Sequence, residues 1–237
     1  DITGASLGTS VQIQITGCSG LTSATLNLIP GSGNDITPLC PGWVSPCSGG
    51  ATSSIPLGVE EYIYEGYITV PPNCNGFTAS YSLCCRNSDI TNGAADDNFW
   101  IYSEFAGINS LPCNNSPQFL NPPVPFTCAN QPFQYNHGVT DPDGDSLSFS
   151  VVPCKQSATS NVVYNPGFSG QQPFATVAPD SVKIDPVTGT ITMVPDGAQI
   201  MVLCVQVDEY RNGVKIAEYI RDIQIVVLGN CSNEPPT

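Results

Sequence analysis

The chain has 237 residues, enough for one large core or two modest ones. Its 22 glycines and 22 prolines exclude a mostly helical protein and suit short strands joined by turns. Charged residues make up only 11%, so the surface is built from Ser, Thr, Asn, Gln and Gly, and a net charge of -14 argues against nucleic acid or anionic membrane as a direct partner while leaving room for divalent cations.

Eleven cysteines with no CxxC pairs at zinc-ribbon spacing read as a disulfide set, hence a secreted protein. The odd count leaves one cysteine unpaired or shared with another molecule. The start at Asp1, with neither a methionine nor an apolar signal segment, fits a mature form after signal removal. No run approaches about 18 consecutive apolar residues, so no membrane insertion is expected.

Taken along the chain, strand signals dominate. "SVQIQIT" (10–16) sets Val11, Ile13 and Ile15 against Gln12, Gln14 and Thr16, the alternation of a half-buried strand. "ATLNLI" (24–29) repeats it. The segment "CPGWVSPC" is short and bent by Pro and Gly, so Cys40 and Cys47 are expected to close on each other. Trp43 inside that loop has little core to reach and is the candidate ligand-binding ring, for a glycan or a protein partner. "EYIYEGYITV" (61–70) and "FTASYSLCC" (77–85) are further strands, the second placing Cys84 and Cys85 on opposite faces. Glu60 and Glu61 also alternate, so they do not line one cleft as a glycosidase pair would.

After "DITNGAADD" (89–97), a loop, comes the strand "NFWIYSEF" (98–105), and then a break near 112. "LPCNNSPQF" and the Pro-rich "LNPPVPF" follow it, and "GNCSNEPPT" closes the chain on a matching Cys-x-Asn-x-Pro phrase. The expected organisation is therefore an N-terminal β-sandwich over 1–112, a second β-sandwich over 113–230, and a linker-like tail, 231–237.

"VTDPDGDSLSFSV" (139–151) carries Asp141, Asp143 and Asp145 at alternate positions around Gly144. A hard cation needs several oxygens gathered by a sharply turning backbone, which this stretch offers. The same residues equally make a turn in which Asp side chains cap their own backbone. It is not an EF-hand, since no Glu stands at the twelfth position. His137, the single histidine, has no nucleophile elbow to serve, and no enzyme is expected. "SLSFSVV", "VKIDPVTGTITMV", "QIMVLCVQVDEY" and "EYIRDIQIVVL" complete an all-β chain.

"DPDGDSLSFSV", "VKIDPVTGTITMVP", "VLCVQVDEY" and "RDIQIVVL" resemble, in this order, the cadherin-like repeats of bacterial surface proteins, and "CNNSPQF" is similar to the cadherin linker. The resemblance implies two tandem Ig-like or cadherin-like Greek-key sandwiches. It also implies Ca2+ held by Asp141, Asp143, Asp145, Asp208, Glu209 and Asn115. Longer phrases, among them "GVEEYIYEGYITVPPNC" and "VDEYRNGVKIAEYIRDIQIVV", look like the N-terminal unit of large cell-surface proteins of gliding-type bacteria, exported by the type IX route. "DSL" and "DSV" resemble the Asp-Ser-apolar O-glycosylation acceptor of the same bacteria, which makes Ser146 and Ser181 candidates for a glycoprotein site.

The function expected is an extracellular or cell-surface structural protein, a subunit of a self-assembling fibre or filament. Its head-to-tail homo-polymer would form by a terminal segment, 1–9 or 229–237, pairing with a neighbour's open sheet edge. The alternative is a monomeric adhesin module that binds carbohydrate or protein.

Overall fold

A computed structural model describes residues 8–37, 44–48, 58–109, 113–123 and 126–229. The chain divides into two compact units. The smaller comprises residues 5–14 and 23–69, and the larger comprises 15–22 and 70–237 together with the first four residues.

The smaller unit holds β1 (Ser10–Thr16, whose last two residues belong to the larger unit), β2 (Ser23–Leu28), β3 (Asn34–Asp35), β4 (Glu60–Glu61) and β5 (Tyr64–Glu65). β1 and β2 pair antiparallel with Val11 opposite Leu26 and Ile13 opposite Ala24, and β2 carries on to β5 with Leu28 opposite Tyr64. The alternation in "SVQIQIT" thus puts the apolar side chains on one face and Gln12, Thr25 and Asn27 on the other. β3 and β4 form a separate two-strand pair that sets Asp35 directly across from Glu60. The continuous strand expected over 61–70 is cut to two short pieces, because the backbone at Ile63 is spent on the turn around Ile29 and Ser32 instead of on a ladder.

The larger unit contains β6 (Gly76–Leu83), β7 (Phe99–Ala106), β8 (Gln118–Phe119), β9 (Phe126–Cys128), β10 (Phe133–Asn136), β11 (Val139–Thr140), β12 (Ser146–Val152), β13 (Lys183–Ile184), β14 (Thr190–Met193), β15 (Gln199–Arg211) and β16 (Val214–Leu228). One sheet runs β12-β15-β16-β7-β6, with β9 beside the end of β16 in parallel. A second runs β10-β14-β13, and β8 pairs with β11. The architecture is an all-β sandwich: Phe149, Leu203, Val205, Val207, Ile223 and Ile225 from the first sheet meet Tyr135, Ile191 and Met193 from the second in one core. The other face of β15 and β16 is covered too. Val202, Cys204 and Ile220 pack there on Ile90, Ala94 and Val162. A strand buried on both sides must be apolar at consecutive positions, which is why "MVLCV" does not alternate.

The boundary expected between 112 and 113 lies inside this larger unit. β16 pairs with β7 through Ala217, Glu218 and Tyr219 against Phe105, Glu104 and Ser103, so β6 and β7 belong to the sheet of the last strands. "VKIDPVTGTITMV" is not one strand but the hairpin of β13 and β14, turned over Asp185 and Gly189.

Disulfides join Cys18 to Cys74 and Cys154 to Cys204, and the neighbours Cys84 and Cys85 join each other; Cys128 is also disulfide-bonded. Cys47 and Cys113 are exposed and unbonded, while Cys40, the partner expected for Cys47, lies outside the described residues.

Two stability tests follow from this packing. Leu203 is fully buried in the main core, so Leu203→Ala should lower unfolding free energy by about 2–5 kcal/mol, read from the shift of the denaturant midpoint. His137 is fully buried between Tyr135 and Phe119 and takes a hydrogen bond on Nδ1 from Arg221, 3.0 Å away. Burial first, and the Arg221 charge second, push its pKa down to about 4. The unfolded chain binds that proton at a higher pH than the folded one. Stability is therefore full above about pH 6.5 and declines as pH falls towards about 4. Melting measured across this window should slope for the intact protein and flatten in His137→Asn; equal slopes would show that other groups carry the acid sensitivity.

Candidate functional site

The DPDGD stretch joins β11 to β12, and its local chemistry makes it a turn. Asp141 Oδ1 accepts from the backbone N–H groups of Asp143 (2.9 Å) and Asp145 (3.0 Å), folding the chain over its own carboxylate. Gly144 takes the left-handed conformation that closes the turn, at φ 80°. The turn throws Asp143 and Asp145 towards the far end of the β15–β16 hairpin.

Arg211, the last residue of β15, meets them there. Its Nε donates to Asp145 Oδ1 and Oδ2 at 2.9 and 3.1 Å, and its Nη2 to Asp145 Oδ2 at 2.5 Å. The same Nη2 reaches Asp143 Oδ2 at 3.2 Å and Asn114 Oδ1 at 2.5 Å. Asn115 completes the outer rim by donating its backbone N–H and its Nδ2 to Asp143, at 2.6 and 2.9 Å. Beneath them Glu209 is fully buried; its Oε1 accepts from Asn114 Nδ2 (2.7 Å) and its Oε2 from the Tyr219 hydroxyl (2.7 Å). A register shift in the β15–β16 pairing between Glu209 and Tyr210 falls at this point.

The electrostatics follow the contacts. The Arg211 fork holds the Asp145 carboxyl below the usual carboxylate range, and the two Asn115 donors, ahead of Arg211, do the same for Asp143. Burial pushes Glu209 the other way, upward, against the hydrogen bonds from Tyr219 and Asn114. Arg211 is held more firmly in its charged form by Asp145.

Of the six expected cation ligands, the structure brings Asp141, Asp145 and Glu209 together, with carboxylate oxygens within 4.8 Å of one another. Asp143 and Asn115 stand at the rim and bond to each other. Asp208 is elsewhere: neighbours on a strand point to opposite faces, and it pairs with Lys215 (2.6 Å) and Gln206 (3.0 Å). A calcium ion takes six to eight oxygens. Here both Asp145 oxygens, Asp143 Oδ2 and Asn114 Oδ1 are already turned onto one guanidinium, and only Asp141 Oδ2 is a buried oxygen without a partner. As placed, these residues do not fit a resident ion.

Arg211, Asn114 and Tyr219 are participants that the acidic pattern did not point to. Position was the available signal: Arg211 stands two residues after Glu209 on one strand, beside the Asn212–Gly213 turn. Among the other candidates, Ser146 is exposed at the first position of β12, Ser181 is half-buried, and Trp43 lies outside the described residues.

Comparison with protein-family models, with curated proteins and with solved structures finds no significant match to this chain.

Tyr219→Phe removes one hydroxyl and leaves Glu209 Oε2 buried without its donor. Such an orphaned acceptor costs about 1–3 kcal/mol, so the denaturant midpoint should fall with no change of fold. An unchanged midpoint would show that water replaces the hydroxyl.

Proposed function

We propose that this chain is an extracellular structural protein, a subunit of a self-assembling surface fibre of the kind exported by the type IX route. Several features support the reading. Disulfides brace the larger unit at Cys18–Cys74 and Cys154–Cys204, which suits an oxidising compartment. Among the described residues no helix is long and apolar enough to cross a membrane. The acidic turn spends its charges on tying residues 114 and 115 to the hairpin end, the work of a structural clip.

The observation that carries assembly is the edge of the smaller unit. Among the described residues β5 is the last strand of β1-β2-β5, and it runs on into Gly66, Tyr67, Ile68 and Thr69, where Tyr67 is 91% exposed. Residues 1–85 contain no Lys, Arg or His, so the edge lacks the lysines that usually keep sheet edges apart. An edge of this kind pairs with an extended segment of a neighbour, main-chain hydrogen bonds giving affinity and alternate side chains giving register. The contact is head-to-tail and propagates when it does not close into a ring.

The second reading is a monomeric adhesin module for carbohydrate or protein. Tyr67 and Tyr62 favour it, since both rings are exposed and each hydroxyl is held by a glutamate, Glu65 and Glu60 respectively.

Electron microscopy and sedimentation of the purified protein separate the two. Fibres should form from the intact chain, and Tyr67→Lys, which puts a charge on the open edge, should shift the protein towards monomer. Single particles from the intact chain at every concentration would leave the adhesin reading standing. Fibres of unchanged length from Tyr67→Lys would mean that sheet faces, not this edge, hold the polymer.

A further inference from the structure

We infer that the Arg211 guanidinium occupies the cation position of the acidic turn, so that the clip between residues 114–115, the DPDGD turn and the β15–β16 hairpin closes without calcium. The inference stands on the geometry of the described residues and does not depend on whether the chain polymerises.

Three carboxylates gathered at one turn repel each other unless positive charge lies among them. A dication supplies it from solution. A guanidinium supplies it from the chain, in a planar fork whose parallel N–H groups match a carboxylate edge. Arg211 uses that fork on Asp145 and the remaining reach of Nη2 on Asp143 and Asn114. One side chain thus contacts the turn and the segment before β8 at once, which is the bridging a metal ion performs when oxygens from separate segments share it.

Placement makes the substitution effective. Arg211 ends β15 immediately before Asn212 and Gly213, whose positive φ values of 52° and 77° form the two-residue turn into β16. Its backbone is paired with Val214, so the side chain departs from a fixed point. The side chains of the Arg211–Asp145 pair are 15% and 6% exposed, which shields the contact from solvent screening. Asn114 serves both layers of the clip, giving Nδ2 to Glu209 and taking Nη2 of Arg211 on Oδ1. One carboxylate oxygen from each of Asp141, Asp145 and Glu209 lies within 4.8 Å of the others, and Asp141 Oδ2 has no partner, so removing the guanidinium would leave hard oxygen donors facing one another. The structure therefore contains a latent calcium site that its own arginine keeps closed.

The test uses the full chain with its disulfides intact. Wild type should melt at the same temperature in EDTA and in millimolar calcium chloride, and isothermal titration with calcium chloride should show no uptake. Arg211→Ala in EDTA should melt lower by roughly 2–4 °C or more. Calcium chloride should raise it again, with measurable calcium binding. Should R211A not accumulate folded, the double variant R211A/D145N, which removes one charge of each sign, should fold and melt independently of calcium. Calcium uptake by wild type, or a lower wild-type melting temperature in EDTA, overturns the inference. So does an R211A variant that melts like wild type, one that calcium does not raise, or a double variant that also fails to fold.

Discussion

The pairing of β15 with β16 is the interaction on which the larger unit depends. From Gln199 opposite Val227 to Arg211 opposite Val214, the two strands share one ladder and supply a large part of the main core. β12 attaches to one side of this hairpin, β7 and β9 to the other, and the second sheet lies across its inner face. The acidic clip sits at the turn end. The ladder runs along both strands apart from the register shift at Glu209 and Tyr210, so it meets much of the cost of desolvating their backbone.

Positive charge is the scarce resource, and its distribution shows how the chain uses it. Six basic residues face twenty acidic ones. Arg86 is buried with Asp222 of β16, at 1% and 2% side-chain exposure, and also donates to the main-chain oxygens of Lys155 and Asn98. A buried pair of this sort gains little net stability against apolar residues of the same shape. It does fix position: Arg86 ties the loop after β6 to the centre of the hairpin and to the loop after β12. Arg221 lies over the Phe119 ring, 4.8 Å from its centre, and donates to His137 and to the Asn121 carbonyl, which seats the residues around β8 and β11. All three arginines thus act as internal fasteners.

The strands themselves were legible wherever side-chain alternation and burial agreed. "SVQIQIT", "ATLNLI" and "NFWIYSEF" lie where the period-two pattern puts them, and "FTASYSLCC" follows it as far as Leu83, after which Cys84 and Cys85, expected on opposite faces, join each other. "EYIYEGYITV" has the same pattern and fails as a strand, because alternation reports a face that could be buried and not the partner that would bury it. The division into units is likewise drawn by pairing and not by punctuation. Punctuation by Pro, Asn and Cys near 112 marks a loop, but whether β7 belongs before or after it depends on its pairing with β16, which local sequence does not encode. Within the site, the acidic residues were visible as a motif. The basic residue that answers them was not, since Arg211 stands among strand residues far along the chain. Asp208 and Glu209 form an acidic pair in sequence only, and strand geometry sends them to opposite faces.

Phe105 meeting Ala217 across β7 and β16 also sets an order of events. A chain delivered from its N-terminus presents β6 and β7 long before the strand that completes their sheet. Until β16 arrives, β7 has an open side, and the fold cannot close from local contacts alone. The larger unit is therefore a late-closing structure, whose main sheet is complete only when the last strand is in place.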